Sequence, residues 1–258
     1  LRNLSSILVL FAALLISSCT PEQSIDEQRA GYVALDVFLK SGQSIDNIHV
    51  RSLTHQGSSY GVSDLDVYLR SEENTYKLSE NAAQPGHYFY DDRFELVEEG
   101  VEYKLSLYHD GEVVSATTTA PPMISNLSLS TEVLDSEIDG ELLSVDWKGI
   151  NQGSFAEYFY IIKITPLSEE EFLVPLDDKC LSCPKAVGDV ILNSDATLTI
   201  DDFNYYGDHL IEVFAISNEN KDLFVSQTDL AENGLSNVQN GTGFFVGVSV
   251  LSDYINIK

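Results

Sequence analysis

The chain has 258 residues, with 14 Lys and Arg against 41 Asp and Glu, a formal net charge of −27, and 43% hydrophobic and 10% aromatic residues. Twelve Phe and 13 Tyr, beside abundant Val, Ile and Leu, suffice to bury a core, which excludes intrinsic disorder. The negative charge excludes counterion-release binding to a phosphate backbone, so no nucleic-acid partner is expected, and the length accommodates one large domain or two of about 100–130 residues.

Residues Leu4 to Ile16 form an apolar run after Arg2 and before Ser17, Ser18 and Cys19. The run is too short to span a bilayer and has the length of a signal-peptide core, with slim residues where a signal peptidase needs them. A Cys directly after such residues resembles the bacterial lipoprotein signal, in which that Cys is lipidated and becomes the first residue of the mature chain. Residues 1–18 are therefore read as a lipoprotein signal peptide, Cys19 as the lipid anchor to the bilayer, and residues 19–30, polar and containing Pro21, as a lipidated tether. Thr20 rather than Asp follows the Cys, which points to the outer membrane and leaves its periplasmic or cell-surface face open.

From Tyr32 the apolar pattern has period two. Val33 to Leu39, Leu65 to Arg70 and Val101 to Tyr108 read as strands, and His109-Asp110-Gly111-Glu112 reads as the turn of a hairpin returning through Val113 to Thr119. Pro121 and Pro122 close this first unit, an N-terminal β-sandwich over 31–120 of about seven strands. A second unit over 121–258 follows. It has a strand at Leu142 to Trp147, which holds the one Trp, and others at Tyr158 to Ile164, Leu198 to Ile200, Leu210 to Ile216 and Leu223 to Ser226. The fold class expected is all-β: two tandem antiparallel β-sandwiches, immunoglobulin-like or fibronectin type III-like, after a lipoprotein signal peptide.

Several side-chain groups invite chemistry. Cys180 and Cys183 form an even pair once Cys19 is acylated, and in an oxidising compartment a disulfide is expected, pinning an insertion near 168–188. So short a loop contributes about 2 kcal/mol. A redox site would need a cation or helix N-terminus to stabilise a thiolate, and Asp177 and Asp178 work against one. Asp135, Glu137 and Asp139 before Gly140 faintly match a calcium loop, but Ile138 and the lack of flanking helices favour a plain Asp-Gly turn. Calcium is the one cofactor worth testing, and none is otherwise expected.

His49, His55, His87, His109 and His209 show no metal-binding spacing. Tyr205 and Tyr206 are candidates for a recognition surface, with core packing as the plainer role for them and for Tyr88, Phe89 and Tyr90. Gly241-Thr242-Gly243-Phe244-Phe245 marks a close backbone approach or bulge before a last strand rather than a nucleotide loop, because a strand pattern follows it.

Taken in order, several segments resemble the Bacteroidota lipoprotein family known as domain of unknown function 4249. They are the lipobox, Gly86-His87-Tyr88, Glu99 to Leu105, Ala116 to Pro121, Trp147, Tyr158 to Tyr160, and Ser236 to Phe245. The resemblance implies an outer-membrane lipoprotein whose gene neighbours a TonB-dependent receptor, with no catalytic residues to carry over. The expected function is a non-enzymatic accessory binding module of such a receptor. The alternative is a surface-exposed module that binds a carbohydrate or peptide itself, with or without calcium.

Overall fold

A computed structural model of the chain describes residues 32–53, 59–138, 140–150, 158–167, 174, 176, 186–191, 194–225 and 235–258. Cys19, the signal peptide, the tether, Asp139, Cys180 and Cys183, and most of the 168–188 insertion lie outside the described residues. The first half of the chain supplies β1 (Val33–Lys40), β2 (Ile48–Leu53), β3 (Ser59–Gly61), β4 (Val67–Arg70), β5 (Thr75–Lys77), β6 (Ser79–Glu80), β7 (His87–Phe89), β8 (Glu102–His109) and β9 (Glu112–Thr119). The second half supplies β10 (Ser125–Leu129), β11 (Val133–Leu134), β12 (Leu142–Lys148), β13 (Tyr158–Pro166), β14 (Ala186–Ile191), β15 (Asp195–Thr199), β16 (Gly207–Ser217) and β17 (Thr242–Ile257).

These strands make an all-β protein of two β-sandwiches. In the first, β1, β2, β7 and β6 face the sheet β5-β4-β8-β9. Val33, Leu35 and Val37 meet Val67, Leu69, Leu105 and Leu107 in a dry core. The turn between β8 and β9 places Asp110 at φ 49° and Gly111 at φ 88°, the two left-handed positions that an Asp-Gly hairpin turn supplies at least cost. In the second sandwich β14, β13 and β16 face β10-β12-β15, and the strict alternation of β12 drives Leu143, Val145 and Trp147 inward. The Trp147 ring meets Tyr160 edge-on with centroids 5.3 Å apart.

The last strand joins the two units. Residues Thr242 to Val248 of β17 run parallel to β1, and Val248 to Ile257 run antiparallel to β16. Phe245 therefore sits in the first core while Ile255 and Ile257, on the same face, sit in the second. Phe244, Val246 and Val248 point the other way into a third cluster with Phe159, Ile161, Phe214 and Ile216. A division at 120/121 thus leaves the first sandwich without a strand of its own sheet. The pairing is tight: a Cβ at Gly243, φ 93°, would lie 2.0 Å from the Leu35 carbonyl oxygen. The Asn237 side chain donates to the Phe245 carbonyl at 2.8 Å and accepts from its N–H at 2.9 Å, standing in for a neighbouring strand.

One expected element has another form. Leu223 begins no strand; Lys221–Val225 is a short helix, α1, after a 3-10 turn at Asn218–Asn220. Asn220 is buried and donates to Ser217 Oγ at 3.0 Å, which holds the chain in the turn, and Leu223 packs against the third cluster. Among the described residues no helix is long and apolar enough to cross a membrane.

Candidate functional site

At the Lys40 end of β1 the first sandwich opens into a groove of about 710 Å³. Its lining comes from Lys40 and the following loop, from the Asn81 to Gln84 turn, from β7, and from Tyr90 and Arg93. Hydrogen bonds across loops explain why these segments stay together. Gly42 N–H donates to the Val97 carbonyl at 2.8 Å, Val97 N–H to that of Gln43 at 2.9 Å, and Tyr90 N–H to that of Ile45 at 2.8 Å. The Asn81 turn is closed by its own side chain, whose Oδ1 accepts the Ala83 N–H at 3.0 Å.

The walls are rigid for the same reason. Tyr88 is fully buried, and its hydroxyl donates to the Val62 carbonyl at 2.8 Å and accepts the Leu65 N–H at 3.2 Å. Burial pushes its phenol up. Glu80 accepts the Gly86 and Asp64 N–H groups, and with its hydrogen bond to Ser63 these hold its carboxyl below the usual range. Tyr90 stands edge-on to Tyr76 at 5.2 Å, and the Tyr76 hydroxyl donates to Glu95 at 2.8 Å. Burial, with Glu95 beside it, pushes the Tyr76 phenol up.

Within the groove some of the amides already bond their neighbours: Asn81 Nδ2 donates to Gln84 Oε1 at 3.2 Å, and Asn47 Oδ1 lies 3.3 Å from His49 Nε2. Gln43, Asn47, Asn81 and Gln84 offer amides, and Lys40 and Arg93 offer cations that make no ion pair among the described residues. His87 lines the same space and meets His49 of the neighbouring strand at a tilt of 52°, with ring centroids 3.5 Å apart. Burial first, and His87 second, lower the His49 pKa, so that ring is neutral at pH 7. This juxtaposition was invisible in the sequence, where the two His are 38 positions apart in separate strands.

The sequence-derived candidates fall elsewhere. Asp135 turns its carboxylate to the Glu137 N–H at 2.9 Å, and the Glu141 carboxylate accepts the Asp135 N–H at 2.7 Å. This is a self-capped turn, and among the described residues no three His, Cys, Asp or Glu are grouped to hold a metal. Tyr205 is buried at 9% exposure and so is no recognition platform, while Tyr206 is partly exposed and gives its N–H to the Val174 carbonyl at 2.9 Å. His209 is buried at 1% exposure against Phe203, with Nδ1 3.0 Å from the Gly207 carbonyl and Nε2 without a partner. Burial lowers its pKa.

The fold and groove define the class: an all-β protein of two β-sandwiches with a polar groove on its first unit. No family model and no curated protein matches the sequence. Among solved structures the chain is similar to the chicken CNTN1 FN1–FN3 domains, at 12% identity and a TM-score of 0.27. That match covers 88% of this chain and 64% of the length of the solved one.

Proposed function

We propose that the protein is a non-enzymatic outer-membrane lipoprotein, anchored through Cys19, that serves as an accessory binding module of a TonB-dependent receptor. The observation that carries the binding role is the groove. Two cations that make no ion pair among the described residues, with the Gln43 amide beside them, line a frame held by loop-to-loop hydrogen bonds, which is the preorganised polar surface that recognition needs. The lipobox and the family resemblance support the address and the partner.

Acyl chains at Cys19 confine the module to the membrane plane and raise its effective concentration beside a receptor. The groove opens at the Lys40 end of β1, about 25 Å along the strand from its Val33 end.

The test is affinity purification of the C-terminally tagged protein from detergent-solubilised outer membranes, followed by mass spectrometry. A TonB-dependent receptor in near-equal amount is expected. Recovery of the protein alone contradicts the receptor role. The amides of the groove favour a second reading, in which the groove itself takes a carbohydrate or peptide. A glycan or peptide retained by purified protein without any receptor would put that reading first.

A further inference from the structure

The outward face of the β5-β4-β8-β9 sheet holds a second constellation, separate from the groove. Leu69, Leu105 and Leu107 are buried, so the alternate residues of β4 and β8 point away from the core. Tyr68 lies opposite Lys77 on one side and Ser106 on the other, and Arg70 lies opposite Thr75 and Lys104. Beyond them Lys104 faces Thr117, and Tyr108 faces Val113. Three of the chain's 14 Lys and Arg thus share one patch of a protein that carries 41 carboxylates.

Two of these cations are partly engaged. The Arg70 guanidinium and the Lys77 ammonium stand 5.5 Å and 5.9 Å from the Tyr68 ring centroid, and Lys77 Nζ is 2.7 Å from Asp66. Lys104 and Arg70 make no ion pair among the described residues. They are directly opposed across two strands, where Cβ atoms lie about 4.5–5.5 Å apart and like charges destabilise a sheet. Glu72 and Glu73 follow Arg70 in the β4–β5 turn, and Glu102, two residues before Lys104, shares its face of β8. A repelling pair kept in the middle of a sheet, in so acidic a chain, is the arrangement that an anion from outside would neutralise.

The occupant follows from the surface around that pair. Inside the sheet the β4, β8 and β9 backbones are paired with one another, so an extended peptide cannot add a strand over this face. Tyr108 is 61% exposed and offers a ring face, and Ser106 is a low, buried floor between Tyr68 and β9. Lys104 and Tyr108 are four residues apart on β8, about 13 Å along the strand, which is too far for a single sugar ring to touch both.

We propose that this face binds an oligosaccharide carrying a carboxylate, a uronate-type glycan, with the carboxylate between Arg70 and Lys104 and a sugar ring against Tyr108. Lys77 is taken up by Asp66, and Glu102 lies about 7 Å from Lys104 along β8, inside the screening length of about 8 Å at about 0.15 M salt, so the contact rests on Arg70 and Lys104 against one strand carboxylate.

The test is calorimetric titration of the mature full-length protein with trigalacturonate, its fully methyl-esterified form, and a triglutamate peptide. Trigalacturonate is expected to bind. The ester is expected to be weaker by about tenfold or more, the scale of one charge-assisted contact. Arg70→Gln/Lys104→Gln is expected to lose binding by the same factor without a lower melting temperature, and Tyr108→Ala to weaken both sugar forms. The proposal is overturned if trigalacturonate does not bind, if the ester binds equally well, if triglutamate binds more tightly than the sugar, or if the double variant keeps full affinity.

Discussion

Both sandwiches bury their middle strands, and they differ in where they leave their unpaired cations. In the second, Lys163 is tied to Glu212 at 3.5 Å, Asn256 to Asp208 at 2.7 Å and Asp202 to the Thr199 N–H at 2.8 Å, while Lys148 makes no ion pair among the described residues. In the first, Arg51 pairs with Asp36 and Lys77 with Asp66, while Lys40, Arg93, Arg70 and Lys104 make no ion pair among the described residues. Both units thus mix paired and unpaired charges, and what places recognition on the first sandwich is that two of its unpaired cations, Lys40 and Arg93, stand beside a groove. The second is its support, bound to it through β17.

If β17 makes one unit of two cores, damage at its first half must be felt in the second. The largest effect is expected from Gly243→Val, whose Cβ would strike the Leu35 carbonyl and whose φ of 93° disfavours any branched residue. A loss of about 4 kcal/mol or more is expected. Phe245→Ala comes next, at about 3–5 kcal/mol for an emptied core site. Both are read through the fluorescence of Trp147, which lies in the other core. The comparison breaks if the Trp147 transition stays where it is while far-UV circular dichroism shows the first sandwich melting alone.

Acid sharpens the comparison. His49 in the first sandwich and His209 in the second both have folded-state pKa values below the ordinary value of 6.5. Each folded site binds fewer protons than the unfolded chain, so their contribution is complete above about pH 6.5 and is lost as pH falls below it toward the folded value. Protonation would give His209 Nε2 an N–H with no acceptor in the core, so His209→Gln is expected to remove more of this acid sensitivity than His49→Gln. Equal slopes for the two variants in urea melts between about pH 5 and 7 would contradict that ranking. The smallest effect is expected from calcium. Because Asp135 and Glu141 are occupied by backbone N–H groups, a millimolar excess should leave the melting temperature within about one degree, and a clear rise would return the loop to the list of ligand sites.

Much of this fold was written in alternation. The run Leu142 to Trp147 and the Asp110-Gly111 turn each announce one local geometry, and the chain adopts it. β17 was harder to read because its Phe244 to Val248 stretch is buried on both faces, which erases the period-two signal, and no local pattern tells which of two sheets a strand will join. The close approach at Gly243 was legible; its partner, β1, was not. Leu223 misled because three apolar residues in a row suit either a strand or a helix, and the buried Asn220 before them settled the matter. The groove could not be read at all. Lys40, Asn47, Gln84, His87 and Arg93 come from separate loops and strands and meet through backbone hydrogen bonds that leave no spacing in the sequence.

The most direct measurement compares three tagged proteins recovered from solubilised outer membranes: the unaltered chain, Lys40→Glu/Arg93→Glu in the groove, and Lys148→Glu on the exposed side of β12 in the second sandwich. The account predicts that the receptor comes with the first and third and is lost from the second, all three melting alike. Retention of the receptor by the groove variant, or its loss from Lys148→Glu, would contradict the placing of recognition on the first sandwich.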